Sequence, residues 1–145
     1  MRKKNVAILL GPNLNMTGIR QKGIYGEETA ESIKSQIIEH GESLSLNCEV
    51  FQSNWEGAII DKIHSLKENC EGVIINPGAL GHYSYAIRDA ISFVRIPFIE
   101  VHVTNIYNRE EFRRHSVISE VCVGQIVGFG KNGYLLALNA IKELI

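Results

Sequence analysis

The chain has 145 residues, of which 45% are hydrophobic and 21% are charged, so it fits one globular domain with a core of normal size. Its formal net charge is -1, with 15 basic residues against 16 acidic ones, and this balance argues against a nucleic-acid-binding surface. The longest apolar stretches have the length of strands, which excludes a membrane-spanning segment, and the three scattered cysteines predict reduced, buried thiols in a cytoplasmic protein.

The chain begins with an apolar strand, a long polar segment and a helix. Residues 6–10 are continuously apolar, which is typical of a strand buried on both faces. Residues 13–26 are polar and rich in glycine, and this length indicates a functional loop rather than a simple connector. Thr29 is a suitable N-cap for a helix whose apolar residues continue at helical spacing to Leu44. Residues 48–51 predict a second, shorter strand.

The middle of the chain repeats the alternation. Residues 53–56 match a capping box. The helix that follows is expected to place apolar residues on one face: Trp55, Ile59, Ile63, Leu66 and Cys70. Residues 72–75 predict a third buried strand, residues 86–94 another amphipathic helix, and residues 97–102 a fourth strand.

The last third contains a fifth strand and a final helix. Residues 109–114 predict a short helix and residues 121–127 the fifth strand. The glycine-rich residues 128–133 are interpreted as a tight loop that leads into a helix over residues 134–145. No internal repeat or linker interrupts the pattern, so residues 1–145 are expected to form a single catalytic domain.

Regular alternation of strands and helices predicts an α/β fold. In one short domain it implies a parallel sheet with helices on both faces and right-handed crossovers. Five strands at this chain length favour a flavodoxin-like three-layer sandwich with the strand order 2-1-3-4-5. Ligands of such sheets bind outside the carboxyl ends of the strands, so the candidate site is expected there.

Polar residues follow three of the predicted strands. Asn13 follows the first strand, Asn76 and His82 follow the third, and Glu100 and His102 end the fourth. Because the carboxyl ends of parallel strands meet at one edge, these five side chains could line one pocket. Glu100 and His102 are two residues apart on a strand, so they share a face and the carboxylate can fix the imidazole tautomer.

Each of these residues also has a structural interpretation. Asn13 and Asn76 lie at turns, where asparagine often bonds local backbone, and a single histidine at a strand end is more often structural than catalytic. Arg109 and Arg113 are one helical turn apart and could meet an anion or a hydroxyl-rich substrate, although such a pair more often forms a solvated salt-bridge surface. The sequence has no H-x-x-x-H or C-x-x-C spacing and no glycine motif for phosphate, so no metal or nucleotide site is predicted. The functional interpretation therefore depends on whether these side chains lie together in one pocket.

Taken together, these segments resemble the type II 3-dehydroquinate dehydratases, from Ile8 to about Leu138. The matching motifs are Gly11-Pro12-Asn13-Leu14-Asn15, Arg20 with Ile24-Tyr25-Gly26, Asn76-Pro77-Gly78-Ala79 with His82 and Ser84, Ile87-Arg88-Asp89-Ala90, Glu100-Val101-His102 with Asn105, Arg109-Glu110-Glu111-Phe112-Arg113 with His115-Ser116, and Gly128-Phe129-Gly130 with Gly133-Tyr134. Any one motif is weakly specific, but the same order and spacing throughout make a strong signal.

The resemblance implies a reaction and an assembly. The reaction is loss of water from 3-dehydroquinate to give 3-dehydroshikimate, a step of the shikimate pathway, without metal or cofactor. The assembly is a homo-dodecamer built as four trimers.

The resemblance also implies roles for individual residues. Tyr25 is expected to be the base, Arg20 its activator, and His102, oriented by Glu100, the acid. Asn13 is expected to hold an enolate through water. The residues expected to bind substrate are Asn76, His82, Val103, Thr104 and Arg113, with Asp89 reaching the site of a neighbouring subunit.

The chain departs from the family pattern at two places. Gln21 and Lys22 stand where the family usually carries Glu-Pro beside the loop arginine, which removes a possible partner of that arginine. Residues 81–83 read Gly-His-Tyr where Thr-His-Thr is common, and Tyr85 replaces a small aliphatic residue. The second set lies at the expected rim of the pocket, where the new aromatic side chains could instead serve a subunit contact.

Two alternatives to an enzyme predict different features of the sequence. A flavin- or nucleotide-binding module on the same fold would carry a Ser/Thr-rich phosphate loop after the first strand, and residues 13–18 do not provide one. A non-catalytic relative would be expected to lose Tyr25 or Arg20, and both are present.

Overall fold

The computed structural model describes residues 2–17 and 29–145. Five parallel strands form one sheet in the order β2-β1-β3-β4-β5, which confirms the predicted flavodoxin-like arrangement. The strands are β1 (Lys4–Leu10), β2 (Leu46–Gln52), β3 (Gly72–Asn76), β4 (Phe98–His102) and β5 (Gly124–Val127). The longer helices are α1 (Ala30–Ser43), α2 (Glu56–Ser65), α3 (Tyr85–Val94) and α4 (Asn132–Leu144).

Two helices cover each face of the sheet. Helices α2 and α3 pack on one face, against alternate strand residues such as Leu9, Ile75 and Phe98. Helices α1 and α4 pack on the other, against residues such as Ile8 and Ile74. Because successive strand side chains point to opposite faces and both faces are covered, the central strands consist of continuous apolar runs. Within the described ranges, no helix is long and apolar enough to cross a lipid bilayer.

The strand register brings three chain segments to one edge. Strand β1 pairs with β3 from Val6 opposite Gly72 to Leu10 opposite Asn76, and Ile75 of β3 lies opposite Glu100 of β4. All strands run in the same direction, so the segments that leave β1, β3 and β4 emerge side by side. This edge is where the polar residues after the strands meet.

The predicted N-cap at Thr29 is confirmed, but the capping box over residues 53–56 is wrong. The Thr29 side chain accepts a hydrogen bond from the Ser32 amide. In contrast, Ser53 Oγ accepts from the Trp55 amide, and α2 begins only at Glu56. The Ser53 amide already donates to the Leu10 carbonyl, so it cannot serve a reciprocal box. Trp55 is 76% exposed and does not lie on the buried face of the helix.

The fifth strand is shorter than predicted, because the chain before it is folded differently. Residues Ser119–Val121 form a short 3₁₀ helix, and the strand begins at Gly124 rather than at residue 121. The short helix predicted over residues 109–114 is instead two 3₁₀ turns, Ile106–Asn108 and Glu111–Arg114. The Asn105 side chain accepts from the Tyr107 amide and starts the first of these turns.

The three cysteines are free thiols, as predicted, but they are partly rather than wholly buried. Burial raises the pKa of the Cys48 thiol to about 11 and that of the Cys122 thiol to about 12. Both side chains therefore stay neutral at physiological pH and contribute apolar volume to the two sides of the sheet.

Candidate active site

A small cavity of about 130 Å³ lies at the carboxyl ends of β1, β3 and β4. Its walls come from the three segments that leave these strands, together with the turns after β4. The lining residues are Pro12, Asn13, Leu14, Asn76, Gly78, Ala79, His82, His102, Val103, Thr104, Ile106, Arg109 and Arg113. The pocket thus brings together seven predicted site residues: Asn13, Asn76, His82, His102, Val103, Thr104 and Arg113.

A close backbone approach at Gly11 sets the first wall of the pocket. The Gly11 amide donates to the Asn76 carbonyl at 2.8 Å. A Cβ atom at residue 11 would lie 2.6 Å from the carbonyl carbon of Pro77 and still closer to its oxygen, so only glycine fits. Asn13 follows in a left-handed conformation with φ 72°, which asparagine tolerates, and its amide donates to Asn54 Oδ1.

Two hydrogen bonds fix the Asn76 amide, which is 3% exposed. Its Oδ1 accepts from the Gly78 amide at 3.1 Å, and its Nδ2 donates to the buried Tyr134 hydroxyl at 2.9 Å. Because the oxygen faces an N–H donor, the orientation of the amide is determined. Nδ2 carries a second hydrogen, which makes Asn76 a neutral donor for a ligand in the pocket.

A fully buried carboxylate lies behind the pocket, at Glu100. Its Oε2 accepts from His102 Nε2 at 2.5 Å, and its oxygens also accept from the hydroxyls of Ser116 and Ser119. Burial alone would raise the pKa of the Glu100 carboxyl. The hydrogen bond and charge of His102, with the two serine hydroxyls, outweigh burial and hold that pKa below its ordinary value. Glu100 is therefore an anion that contacts His102 and does not itself line the cavity.

The charge of Glu100 determines the tautomer of His102. An ionised carboxylate can only accept hydrogen bonds, so Nε2 of His102 carries a hydrogen. Nδ1 is then the ring nitrogen that remains for proton transfer at the pocket. His102 is 6% exposed and is one of the residues that line the cavity.

His82 stacks beside His102 and has a different role. The ring centroids are 6.0 Å apart and the planes differ by 17°. His82 Nδ1 donates to the His115 carbonyl at 2.7 Å. Burial, with the nearby His102 and Arg113, lowers the pKa of His82, so its ring is neutral at pH 7 and Nε2 is an acceptor. His82 can therefore accept a hydrogen bond from a ligand hydroxyl.

Two arginines give the pocket its positive charge. Arg109 donates to the Thr104 hydroxyl at 3.2 Å. Arg113 donates twice to the Glu110 carboxylate, at 3.2 and 3.3 Å, and lies over the Phe112 ring. These contacts hold both guanidinium groups at the rim, where they suit a small anionic ligand.

Two of the predicted site residues that the structure describes, Glu100 and Asp89, do not line the pocket. Arg20 and Tyr25 lie outside the described residues. Asp89 is exposed on α3 and does not line the cavity. In the described parts of the chain, no three His, Cys, Asp or Glu side chains lie close enough together to hold a metal ion.

The structure also adds residues that the sequence did not single out. Ser119 bonds Glu100, and Tyr134 bonds Asn76. Tyr134 belongs to the Gly-Tyr motif at the start of α4, but its position on a helix gave it the pattern of a core residue. Ser119 carried no signal, because it lies in a stretch whose local conformation is irregular.

Comparison with known proteins identifies the family. The model of the family described as "Dehydroquinase class II" matches residues 4–142. A 3-dehydroquinate dehydratase of Caldicellulosiruptor saccharolyticus is 55% identical over 143 residues, which cover 98% of this chain and 99% of that protein.

Solved structures agree with this match. The type II dehydroquinase from Butyrivibrio crossotus has a TM-score of 0.94 at 50% identity, over 96% of this chain and 97% of that one. The type II dehydroquinase from Propionibacterium acnes has a TM-score of 0.94 at 42% identity, over 97% of both chains. The similarity spans both the sheet and the segments that build the pocket, and the chain belongs to the class II dehydroquinase family.

Proposed function

We propose that the chain eliminates water from 3-dehydroquinate to give 3-dehydroshikimate, as a type II 3-dehydroquinate dehydratase of the shikimate pathway. The observation that carries the proposal is the Glu100–His102 pair, whose imidazole opens into a pocket lined by neutral and cationic donors. The similarity to proteins that bear this name supports the same reaction.

The pocket suits the substrate chemically. 3-Dehydroquinate is a small hydroxylated carboxylate with a ketone. Arg113 and the Asn76 amide offer donors to its carboxylate and hydroxyls, and His82 offers an acceptor. Val103 and Thr104 follow β4 directly and line the same wall, where their backbone amides are proposed to bind the carboxylate.

The reaction requires a proton to leave the carbon beside the ketone and the β-hydroxyl to depart. Removal of the proton moves the C–H electron pair into an enolate. A donor that is already aimed at the enolate oxygen lowers the barrier most, and we assign this role to Asn13 acting through a water molecule. The left-handed turn at Asn13 and its bond to Asn54 keep this residue at the pocket wall.

His102 is the proposed acid. When the enolate collapses, the carbon–oxygen bond breaks and the leaving hydroxide takes a proton to become water. His102 can deliver that proton from the ring nitrogen that faces the pocket, while Glu100 stabilises the imidazolium from behind. No metal or organic cofactor takes part in this scheme.

Tyr25 is the proposed base and Arg20 its activator, by the family motif. A phenol has an ordinary pKa of about 10, so only about one in a thousand is ionised at neutral pH. Lowering that pKa to about 7 requires about 4 kcal/mol of differential stabilisation. A guanidinium close to the phenol in a site that excludes water supplies an effect of this kind.

We further propose that the chain acts in the cytoplasm as a dodecamer of four trimers, with Asp89 reaching the site of a neighbouring subunit. The exposed position of Asp89 on α3 is compatible with a role in another chain. Exposed aromatic side chains on the same part of the surface, including Tyr83 and Tyr85, are compatible with a subunit contact.

The reaction can be tested by ultraviolet detection of the conjugated enone formed from 3-dehydroquinate, with EDTA present. The unmodified protein is expected to be active. Tyr25→Phe is expected to lower kcat by at least about a hundredfold, because the base is lost, while calorimetry still detects substrate binding. Tyr83→Phe, which removes the hydroxyl of an exposed tyrosine, is the matched control.

Absence of enone formation by the unmodified protein would reject the proposed function. Near-normal turnover by Tyr25→Phe would instead reject the assignment of the base and leave the reaction standing. Arg20→Ala tests the activator separately. An unchanged pH profile of activity in that variant would contradict activation of the Tyr25 phenol by the Arg20 guanidinium.

A further inference from the structure

The buried carboxylate of Glu100 receives donors from two elements. His102 approaches from the same strand, β4. Ser119 Oγ donates to Oε1 at 2.6 Å, and Ser116 Oγ lies 2.9 Å from both oxygens. The two serines belong to the segment between the turns after β4 and strand β5. Two residues outside the pocket, Ser116 and Ser119, therefore contact the carboxylate that orients His102.

The hydrogen positions at this site can be assigned from the partners. Ser116 Oγ accepts from the amides of Ile118 and Ser119, at 3.3 and 3.1 Å, so its own hydrogen is directed to Glu100. Ser119 Oγ donates to Glu100 from the other side. The Glu100 carboxyl group is surrounded by two O–H donors and by the N–H of His102 Nε2. A proton on the carboxyl group would displace one of these donors, so the group stays ionised.

The serine segment is itself held in place. Arg88 on α3 donates to the Val117 carbonyl at 2.9 Å and to Glu120 at 3.1 Å. The Val117 amide donates to the Gly81 carbonyl at 2.8 Å. The segment that carries the hydroxyls is thus tied both to α3 and to the turn after β3, so the hydroxyls keep a fixed position relative to Glu100.

We propose that Ser119, assisted by Ser116, is a positioning residue for His102. Its hydroxyl holds Glu100 as a carboxylate in one orientation, and Glu100 in turn keeps the hydrogen of His102 on Nε2 and Nδ1 at the pocket. Ser119 does not touch the substrate. The kinetic part of this inference rests on the proposed dehydration, whereas the tautomer of His102 can be measured without any reaction.

The test compares Ser119→Ala with two matched variants. Ser119→Ala is expected to lower kcat about tenfold, because a hydrogen bond to a charged group is lost, with KM changed by less than about twofold. Ser119→Thr keeps the hydroxyl and is expected to retain activity. Ser65→Ala is the control, because Ser65 Oγ also makes a 2.6 Å bond but to a helix carbonyl of α2, and it should behave as the unmodified protein.

Nitrogen NMR of histidine-labelled protein gives the independent readout. The His102 signals are identified by their loss in His102→Asn. The unmodified protein is expected to carry a hydrogen on Nε2 whether or not Nδ1 is also protonated, because Nε2 donates to Glu100, and Ser119→Ala is expected to show a mixture of Nε2–H and Nδ1–H forms. If Ser119→Ala does not fold, Ser119→Cys, which keeps the size and weakens the donor, is measured in its place.

The proposal is overturned by unchanged His102 signals together with unchanged kcat in Ser119→Ala. It is also overturned if Ser119→Thr loses as much activity as Ser119→Ala, since the shape of the side chain and not its hydroxyl would then matter. If the unmodified protein lacks dehydratase activity, the proposed function fails, and the NMR comparison still decides whether Ser119 positions His102.

Discussion

Single hydrogen bonds from behind the pocket determine what its polar side chains present to a ligand. The Tyr134 hydroxyl accepts from Asn76, and the Glu100 carboxylate accepts from His102. Neither Tyr134 nor Glu100 is among the lining residues. A conservative change at these positions therefore alters the orientation of a pocket residue without altering the pocket wall.

Tyr134→Phe tests this at the residue scale. The Asn76 Nδ2 group would lose its acceptor inside the protein, so the free energy of unfolding is expected to fall by about 1 kcal/mol. KM for 3-dehydroquinate is expected to rise, because the amide is no longer held in one orientation. Urea unfolding and steady-state kinetics measure the two effects.

Tyr85→Phe is the comparison variant for Tyr134→Phe, because the Tyr85 ring is exposed on α3 and its hydroxyl can bond water. Both parameters should match the unmodified protein in that variant. Equal stability of Tyr134→Phe and the unmodified protein would contradict the role given to the buried hydroxyl.

At the scale of single residues, the sequence predicts the residues that line the pocket better than the residues that hold them in position. Asn76 and His102 could be found because they directly follow or end apolar strands, and the ends of parallel strands converge. Ser119 could not be found, because contact with Glu100 depends on how an irregular segment crosses the sheet edge. Tyr25 and Arg20, which were predicted from the motif alone, remain predictions.

At the element scale, the exit of β1 depends on the absence of a side chain at Gly11. Gly11→Ala would push Cβ against the Pro77 backbone, which cannot move without shifting the turn after β3. To make room, the segments that leave β1 and β3 would have to move apart, and these segments carry Asn13 and Asn76. The variant is therefore expected to lose about 1–3 kcal/mol of stability and most of its activity. Thermal unfolding and the enone assay measure both.

Gly57→Ala provides the contrast, because a Cβ at this exposed position of α2 meets no atom within 4 Å. It is expected to stabilise the protein by up to about 1 kcal/mol, since alanine favours a helix over glycine. If Gly11→Ala and Gly57→Ala unfolded at the same temperature, the close approach at Gly11 would not be the constraint described.

The predicted elements are correct where one physical effect dominates. Continuous apolar runs predicted β1 and β3, and apolar residues at helical spacing predicted α1 and α3. Prediction was wrong where tertiary contacts compete with a local pattern. The Ser53 amide bonds Leu10 instead of Glu56, and Glu56 accepts from the Ser84 hydroxyl at 2.5 Å, so the local box does not form. Residues 121–123 have strand composition, but the turn that carries Ser119 takes them out of the sheet.

At the scale of the whole molecule, the buried charge of Glu100 links stability to pH. Its pKa is lower in the folded chain than in the unfolded one, so folding is stabilised while the carboxylate is ionised. That stabilisation is complete above the ordinary carboxyl pKa and declines as the pH falls through the folded value, by up to about 1.4 kcal/mol per pH unit.

Urea unfolding between pH 7 and pH 3.5 checks this link by comparison with Glu100→Gln. The unmodified protein is expected to be the more stable at pH 7, and the difference between the two should shrink as the solution becomes acidic. Parallel curves for the two proteins would mean that the ionisation of Glu100 is not coupled to folding.

The strand order was also predictable at this scale, because alternating strands and helices in a short chain leave few parallel arrangements. Subunit assembly was not, since it depends on the fit of exposed side chains to another chain. The exposed aromatic residues mark a surface that is available for contact with another chain, but they do not identify which surface of that chain makes the contact.

The bond between Asn76 and Tyr134 has a consequence for the order of synthesis on the ribosome. Strands β1 and β3 can pair once β3 has left the ribosome, but the Asn76 amide has no acceptor until Tyr134, which lies 58 residues further along the chain, has also left the exit tunnel. During translation, a nascent chain that has already assembled most of the sheet therefore still lacks a finished pocket. Substrate can first meet a fully oriented Asn76 only after almost the whole of this sequence has been translated.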